Sequence, residues 1–196
     1  MALMATAMIS CNGNNQNSIF PAGCELRTGD IVFRRGGGIS SHAVMMADIN
    51  GRYSHVGIVV DSAGKKMIVH AVPGEPDFEG DPDRVKMDTP EKFFSVTNAN
   101  AGEVKRLRGD TLTPIKAAAF AMEIYCRYTL FDHDYDDSDT TKMYCCEIVE
   151  FAYAKAGRSL AGTVRHDIKL PGLNAFHCML PSDICNSKLL ISIIDF

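Results

Sequence analysis

Residues Tyr53–Val72, YSHVGIVVDSAGKKMIVHAV, decide the fold class. Two β-branched runs, Tyr53 to Asp61 and Lys66 to Val72, are separated only by Ser62-Ala63-Gly64-Lys65, the length of a hairpin turn. A linker this short cannot carry a parallel crossover, so the two strands are antiparallel. The same turn brings His55 and His70 to neighbouring positions on one face of the pair. Gly57 shares parity with His55 and leaves space beside the imidazole for a helix to approach.

Upstream, Leu26 to Arg34 (LRTGDIVFR) holds the turn pair Gly29-Asp30 and then an apolar run, which predicts a strand from about Asp30. Gly36-Gly37-Gly38 with Ser40 and Ser41 reads as a flexible loop; it lacks the Lys and the spacing of a phosphate loop. Downstream, Pro73 to Pro90 is a Pro-, Gly- and Asp-rich surface loop with one short strand at Arg84–Met87, and Pro90 to Phe94 is a helical turn. Gly102 to Arg108 alternates like a strand with one exposed face. Thr113-Pro114 opens a helix that runs to Tyr128, with Thr113 as its cap. After the acidic loop Phe131–Asp139 comes a second helix, Met143 to Ala156, closed by Gly157. Leu180 to Ile184 is a capped short helix, followed by the apolar end Leu189–Phe196. Strands first and long helices later make this an α+β chain with a mostly antiparallel sheet.

The 196 residues suit one domain, and an apolar content of 46% suffices for a core without metal or disulfide staples. With 20 Lys+Arg against 24 Asp+Glu, a net charge of −4 argues against a nucleic-acid surface. No apolar run reaches the roughly 20 residues of a membrane-spanning helix. The cysteines number seven, an odd count, and no Cys-x-x-Cys zinc spacing occurs. At the N-terminus, MALMATAMIS precedes Cys11 and the polar tract Asn12–Asn17. An apolar stretch, a small residue, a cysteine and a polar tether resemble a bacterial lipoprotein signal, which puts a lipid on Cys11. The apolar part is short and has no preceding Lys or Arg. On this reading residues 1–23 are signal and tether, residues 24–196 are the domain, and the protein is exported to the periplasm or outer membrane, attached through that lipid alone. A cytoplasmic protein with a frayed terminus is the alternative.

The chemistry centres on Cys145. In the first turn of its helix, unpaired backbone N–H groups and the positive end of the dipole favour a thiolate and can donate to an oxyanion. Ile148, Val149, Ala152 and Ala156 continue its face as an apolar stripe, so Cys145 faces the strands. Cys146 leads instead to Glu150 and Tyr153, a wetter face. A cysteine nucleophile, His55 as base and His70 as the polar group orienting the base form the arrangement that nucleophilic catalysis requires. Two satisfied strand histidines and a buried cysteine would read the same way.

Leu26–Phe33, Tyr53–Ile58, Ile68–Ala71 and Tyr144–Val149 together resemble the YiiX/YebB-like branch of the NlpC-type cysteine hydrolases. The resemblance covers about Leu26 to Gly157, with the tail Leu180–Ile184 and the pair Phe131-Asp132 also similar. It implies a circularly permuted papain-like fold, with the histidine strand before the cysteine helix. It implies Cys145 as nucleophile, His55 as general base and His70 at the polar third position, where a Glu is common. A histidine there orients His55 only as a hydrogen-bond acceptor in the right tautomer. Cys146 also departs, standing where a small Ser is common. Glu147 either caps the first turn or holds a substrate amine; Tyr53 and Tyr144 are aromatic core, cleft wall or oxyanion donor. The activity implied is cleavage of amide bonds in peptides or cell-wall peptides without a cofactor. Lipid acyl hydrolysis or transfer on the same fold is an alternative, as is a non-catalytic lipoprotein binding module.

Other signals are weaker. Asp132 to Asp139 imitates the opening of a calcium loop but has Asp137 where Gly is needed and Met143 where Glu is needed. As a solvated acidic loop it rims the cleft. His177, Cys178 and Cys185 lack a fourth metal ligand, and no elbow motif surrounds Ser40, Ser41 and His42.

Overall fold

The computed structural model describes residues 17–169 and 175–196. Six strands, β1 (Ile31–Arg35), β2 (His55–Ser62), β3 (Lys65–Ala71), β4 (Val85–Asp88), β5 (Ala101–Leu107) and β10 (Leu190–Asp195), form one antiparallel sheet in the order β10-β5-β1-β2-β3-β4. The expected hairpin joins β2 to β3. Its two central residues, Ala63 (φ 53°) and Gly64 (φ 81°), both lie in the left-handed region that tight hairpin turns demand, and the Gly64 N–H donates to Asp61 Oδ1 at 2.9 Å. Two smaller strand pairs lie outside the sheet: β6 (Leu130–Phe131) with β7 (Lys142–Met143), which is parallel, and β8 (His166–Ile168) with β9 (Phe176–Cys178).

Alternation assigns the sheet faces. Ile31, Phe33, Val56, Ile58 and Val60 pack on two helices, α3 (Leu112–Cys126) and α4 (Cys145–Lys155), through Ala117, Ala121, Ile148, Val149 and Ala152. Val32, Val59, Ile68 and Val104 point the other way, onto Leu26, Phe93 and Phe94 of the short helix α2 (Pro90–Phe93) and its end. Phe20 and Phe196 pack on Phe94 there, and Val96 N–H donates to Asn17 O at 2.9 Å, so the chain is tied into the body from Asn17, ahead of Cys24. Cys11 lies outside the described residues. No described helix is long and apolar enough to cross a membrane.

Three local expectations need correction, and one segment read without a secondary structure, the apolar end, gains one. The Gly36–Ser41 stretch does not stay a loop: Gly38 is the N-cap of helix α1 (Ile39–Ala47), whose Ala- and Met-rich sequence is helix-forming. The first turn of α3 is capped by Asp110, which accepts from the N–H groups of Leu112 (2.9 Å) and Thr113 (3.0 Å), and not by Thr113. The apolar end is strand β10, an edge strand added to β5. Finally, the Cys146, Glu150, Tyr153 face of α4 is buried rather than wet. Glu150 accepts from the backbone N–H groups of Leu160 and Ala161, both at 2.9 Å, so a carboxylate is satisfied inside the protein. The fifth helix, α5 (Pro181–Cys185), is capped by Asp183, whose carboxylate accepts from Leu180 N–H at 2.8 Å.

Candidate active site

His55 is the first residue of β2 and Cys145 the first residue of α4. Parity puts His55, Gly57 and Val59 on the Phe93 face, away from α4, so helix and histidine meet at the end of the strand and not across its face. The space over Gly57 is therefore not kept for the helix. A Cβ there would stand 2.6 Å from Ile68 Cγ2 and 3.1 Å from Val69 O, so the glycine is required by the close approach of β3.

The register Ile58↔Val69 places His70 beside Gly57, within reach of His55. His55 Nε2 lies 2.9 Å from His70 Nδ1, and His70 Nε2 lies 3.0 Å from Asp88 Oδ2. All three side chains are buried. Asp88 ends β4, opposite Ile68, and its other oxygen accepts from Lys92 Nζ at 2.8 Å. Phe93 packs on both rings, with centroids 5.6 Å from His55 and 5.0 Å from His70. Arg34, opposite His55 in β1, lies over the same Phe93 ring at 4.7 Å and pairs with Glu75.

These contacts fix the protons. Burial raises the Asp88 carboxyl, but hydrogen bonds from His70 and Lys92 outweigh it and hold the group well below the usual carboxylate range. Burial also lowers His70, against the pull of Asp88, and keeps it neutral. A carboxylate only accepts, so His70 carries its proton on Nε2 and presents a lone pair at Nδ1. His55 then donates from Nε2, which leaves Nδ1 without a proton and free to take one from Cys145. Asp88 therefore sets the tautomer of both histidines.

Cys145 and His55 are close enough to shift each other's titration. The Cys145 thiol is held well below its ordinary value, first by a hydrogen bond from Cys146, whose Sγ is 3.9 Å away, and then by His55, against the cost of burial. Burial draws His55 down to about 4, while the neighbouring Cys145 thiolate pulls it up. Cys145 and the adjacent Cys146 titrate together, so the lowered Cys145 and its neighbour's shift belong to that pair, with His55 acting on Cys145 beside it. Cys146 moves the other way, up from the thiol range, through burial and the adjacent Cys145.

The remaining expected residues divide. Tyr144 is buried with its ring against the Cys145 cavity, and its hydroxyl accepts from Met179 N–H at 3.0 Å. Glu147 turns back to its own helix start, where it accepts from Tyr144 N–H at 3.4 Å, and does not border that cavity. Tyr53 is not at the site: its ring packs on Phe33 at 5.7 Å and its hydroxyl donates to Asp195 at 3.1 Å. Asp88 and Arg34 were missed by the sequence reading. The one available signal for Asp88 was its even spacing from Arg84 and Lys86 after the short strand.

A cavity of about 320 Å3 opens on Cys145. Helix α1 forms one wall through Val44 and Ala47; Tyr135, Ile168, Phe176 and Met179 form others. The acidic loop reaches it through His133 and Tyr135, so the loop does rim the cleft. Among the described residues, no group of three or more His, Cys, Asp or Glu side chains is gathered to hold a metal ion.

Neither the family models nor the curated proteins give a match to this chain. Among solved structures, the chain is similar to one described as the metalloprotein yiiX from Escherichia coli O157:H7, DUF1105, with a TM-score of 0.67 and 19% identity over 87% of this chain and 97% of that one. At that identity the likeness is one of fold.

Proposed function

We propose that this chain is a cysteine hydrolase that cleaves amide bonds, built on a circularly permuted papain-like fold of the NlpC type. The observation that carries the reading is the hydrogen-bonded line His55–His70–Asp88, set beside a helix-N-terminal Cys145 near enough to His55 for each to shift the other's titration. A structural cysteine needs no such line, whereas a nucleophile needs an adjacent base and a group to orient that base. The fold-level likeness to yiiX supports a YiiX-like relationship.

In this mechanism the Cys145 thiol gives its proton to His55 Nδ1, the sulfur attacks the substrate carbonyl carbon, and the oxyanion is met by free N–H groups of the first turn of α4. The carbon–nitrogen bond then breaks as the leaving amine takes the proton from His55 Nδ1. An acyl thioester remains on Cys145. Water gives a proton to His55 as it attacks the thioester, the carbon–sulfur bond breaks, and the carboxylic acid leaves. His70 and Asp88 touch no reacting atom and are positioning residues. Peptides, including cell-wall peptides, are the expected amide class.

The test is p-nitroaniline release from a panel of peptidyl and acyl p-nitroanilides, with wild type and Cys145→Ala compared. Release that depends on Cys145 is the expected result. Hydrolysis surviving in Cys145→Ala overturns the assignment.

A further inference from the structure

Among the described residues, three cysteines line one cavity: Cys145, Cys146 and Cys178. The first two open helix α4 side by side, and their sulfurs lie 3.9 Å apart. The hydrolysis described above uses one sulfur and gives Cys146 no step. Packing does not ask for a thiol there either. In the family that the sequence resembles, a small serine is common at this position. A serine fills nearly the same space, and its hydroxyl donates a hydrogen bond to the Cys145 sulfur as well as a thiol does. What a thiol alone adds is the ability to bond to a second sulfur.

The surroundings favour that bond. Cys145 combines thiolate character with a place on the cavity wall, the two properties that make a cysteine oxidisable. Cys146 is buried, yet it lines the same cavity. A sulfenic acid formed on Cys145 therefore has a thiol beside it before a second oxidant molecule arrives. To close the bridge, the two sulfurs move from 3.9 Å to the bonding distance of about 2 Å. Adjacent Cα atoms stand about 3.8 Å apart across a trans peptide, closer than the usual minimum of about 4.4 Å for a disulfide. The bridge thus twists the first turn of α4 and stays easy to reduce, as regulatory disulfides are. The N–H groups of that turn have no intrahelical acceptor to lose.

We propose that Cys145 and Cys146 form a reversible thiol–disulfide switch closed by hydroperoxides, with Cys146 as the resolving thiol. The Cys145 thiolate attacks one oxygen of the hydroperoxide, the oxygen–oxygen bond breaks, and the departing oxygen leaves as water or an alcohol after taking a proton. Cys145 is now a sulfenic acid. The Cys146 sulfur attacks the Cys145 sulfur, the sulfur–oxygen bond breaks, and the hydroxide leaves as water with the Cys146 proton. Two thiols have lost two electrons to one hydroperoxide. A small dithiol reverses the bridge by exchange. The closed pair leaves no sulfur free for attack on a carbonyl. That last consequence rests on the hydrolase reading; the bridge itself rests on the two thiols and the cavity they share.

The experiment uses the full chain, freshly reduced, treated with hydrogen peroxide and then alkylated with iodoacetamide without a reductant. The peptide that holds both cysteines is read by mass, and p-nitroanilide release is followed in parallel. In wild type this peptide is expected to lose two hydrogens, to take up no label, and to regain both labelling sites after dithiothreitol. Cys146→Ser is expected to form no bridge. Its Cys145 stays a sulfenic acid that dimedone traps, and then passes to the sulfinic acid that dithiothreitol does not restore. Most Cys145 thiol should therefore return in wild type and little in Cys146→Ser, while Cys178→Ser still forms the bridge. A bridge from Cys145 to Cys178 overturns the inference, and so does equal recovery of Cys145 in wild type and Cys146→Ser. A Cys145 left as a free thiol while Cys126, exposed on α3, is oxidised overturns it as well. The wild-type peptide map decides even where a variant does not fold. A bridge in a chain that releases no p-nitroaniline removes the hydrolase reading alone, and Cys145-dependent release that survives full oxidation by peroxide removes the switch alone.

Discussion

Asp88→Asn should silence Cys145 although the two residues do not touch. In the native protein Asp88 accepts twice, from His70 Nε2 at 3.0 Å and from Lys92 Nζ at 2.8 Å. An asparagine at this position has only one accepting oxygen. An ammonium cannot accept, so the oxygen turns to Lys92 and the amide NH2 faces His70 Nε2. That nitrogen must then be the unprotonated one, and the proton of His70 moves to Nδ1. His70 now donates to His55 Nε2, which forces the His55 proton onto Nδ1, facing Cys145. The base has become a donor, and it can no longer take the thiol proton. An inverted tautomer of this kind in a serine protease costs about 10⁴ in rate, or about 5.5 kcal/mol at 1.36 kcal/mol per decade.

The assay needs no substrate. Iodoacetamide labelling of Cys145, mapped by peptide mass spectrometry, reports the thiolate across pH. At pH 6 a thiol with the ordinary value of about 8.5 is ionised in about one molecule in 300; the native Cys145, held well below its ordinary value, is expected to label faster than such a thiol. Cys146 stays 3.9 Å from the sulfur in the variant and keeps part of the shift, so labelling at pH 6 is expected to fall, but by less than the about 300-fold that separates a thiolate from an ordinary thiol. Adding Lys92→Met frees the asparagine oxygen to rotate back to His70, and the double variant should regain labelling that Asp88→Asn alone has lost. A merely structural role for Asp88 would not produce that rescue. Native labelling at pH 6 in Asp88→Asn, in a chain that melts cooperatively, would refute the tautomer reasoning.

Three further outcomes are expected. Gly57→Ala forces a Cβ to 2.6 Å from Ile68 Cγ2 and 3.1 Å from a backbone oxygen, and should cost about 1–3 kcal/mol in urea unfolding; an unchanged midpoint would show that β3 can yield. Glu147 is pushed up to about 9 by burial, with Asp137, Asp132 and Asp139 adding to it. The folded chain keeps a proton that the unfolded chain gives up near 4.5, so this group's contribution is full below that pH and is lost as pH rises towards about 9; Glu147→Gln should flatten the dependence of Tm on pH over that window, and an unaltered slope would assign it elsewhere. His70→Leu with Asp88→Leu replaces a buried polar pair by apolar volume, which often leaves stability equal or higher; the double variant should melt no lower than Asp88→Asn yet label as slowly as His55→Ala, and fast labelling at pH 6 would remove His70 from the relay.

Much of the sheet was legible because the decisive contacts are local. The turn at Ala63-Gly64 fixes the β2–β3 register, and register alone brings His70 to His55. Helix α4 was legible for a similar reason: its apolar stripe and Gly157 are marks within one segment. Contacts between segments far apart in sequence were not. Asp88 reaches His70 only through the pairing of β4 with β3 across an irregular loop, and no spacing rule sets that register. Tyr53 lies two residues before His55 and so looked like part of the site, but the approach of Asp195 on β10 takes its hydroxyl elsewhere. Glu150 looked solvated because it is charged, and only the fold shows the Leu160 and Ala161 N–H groups that replace water around it.

The site is divided by material. On the strand side every group that handles a proton is buried and polar: His55, His70, Asp88 and, opposite His55, Arg34. Such a cluster is costly inside a core unless each member is satisfied, and among the described residues no buried side-chain nitrogen or oxygen lacks a partner. The line ends at Lys92, whose side chain is half exposed, so its last charge is paid for by water. On the helix side the walls come from α1, β8, β9, the acidic loop and the start of α5, mostly apolar and, among the described lining residues, without a Lys, Arg, Asp or Glu. Cys145 is the one residue common to both sides. The strand side can be rigid, because tautomer control tolerates little displacement, while the helix side can vary its wall residues without touching a proton. On the proposed function, residues of α1, β8, β9 and the acidic loop would set what the cavity accepts, and the histidine relay on the sheet would set the chemistry.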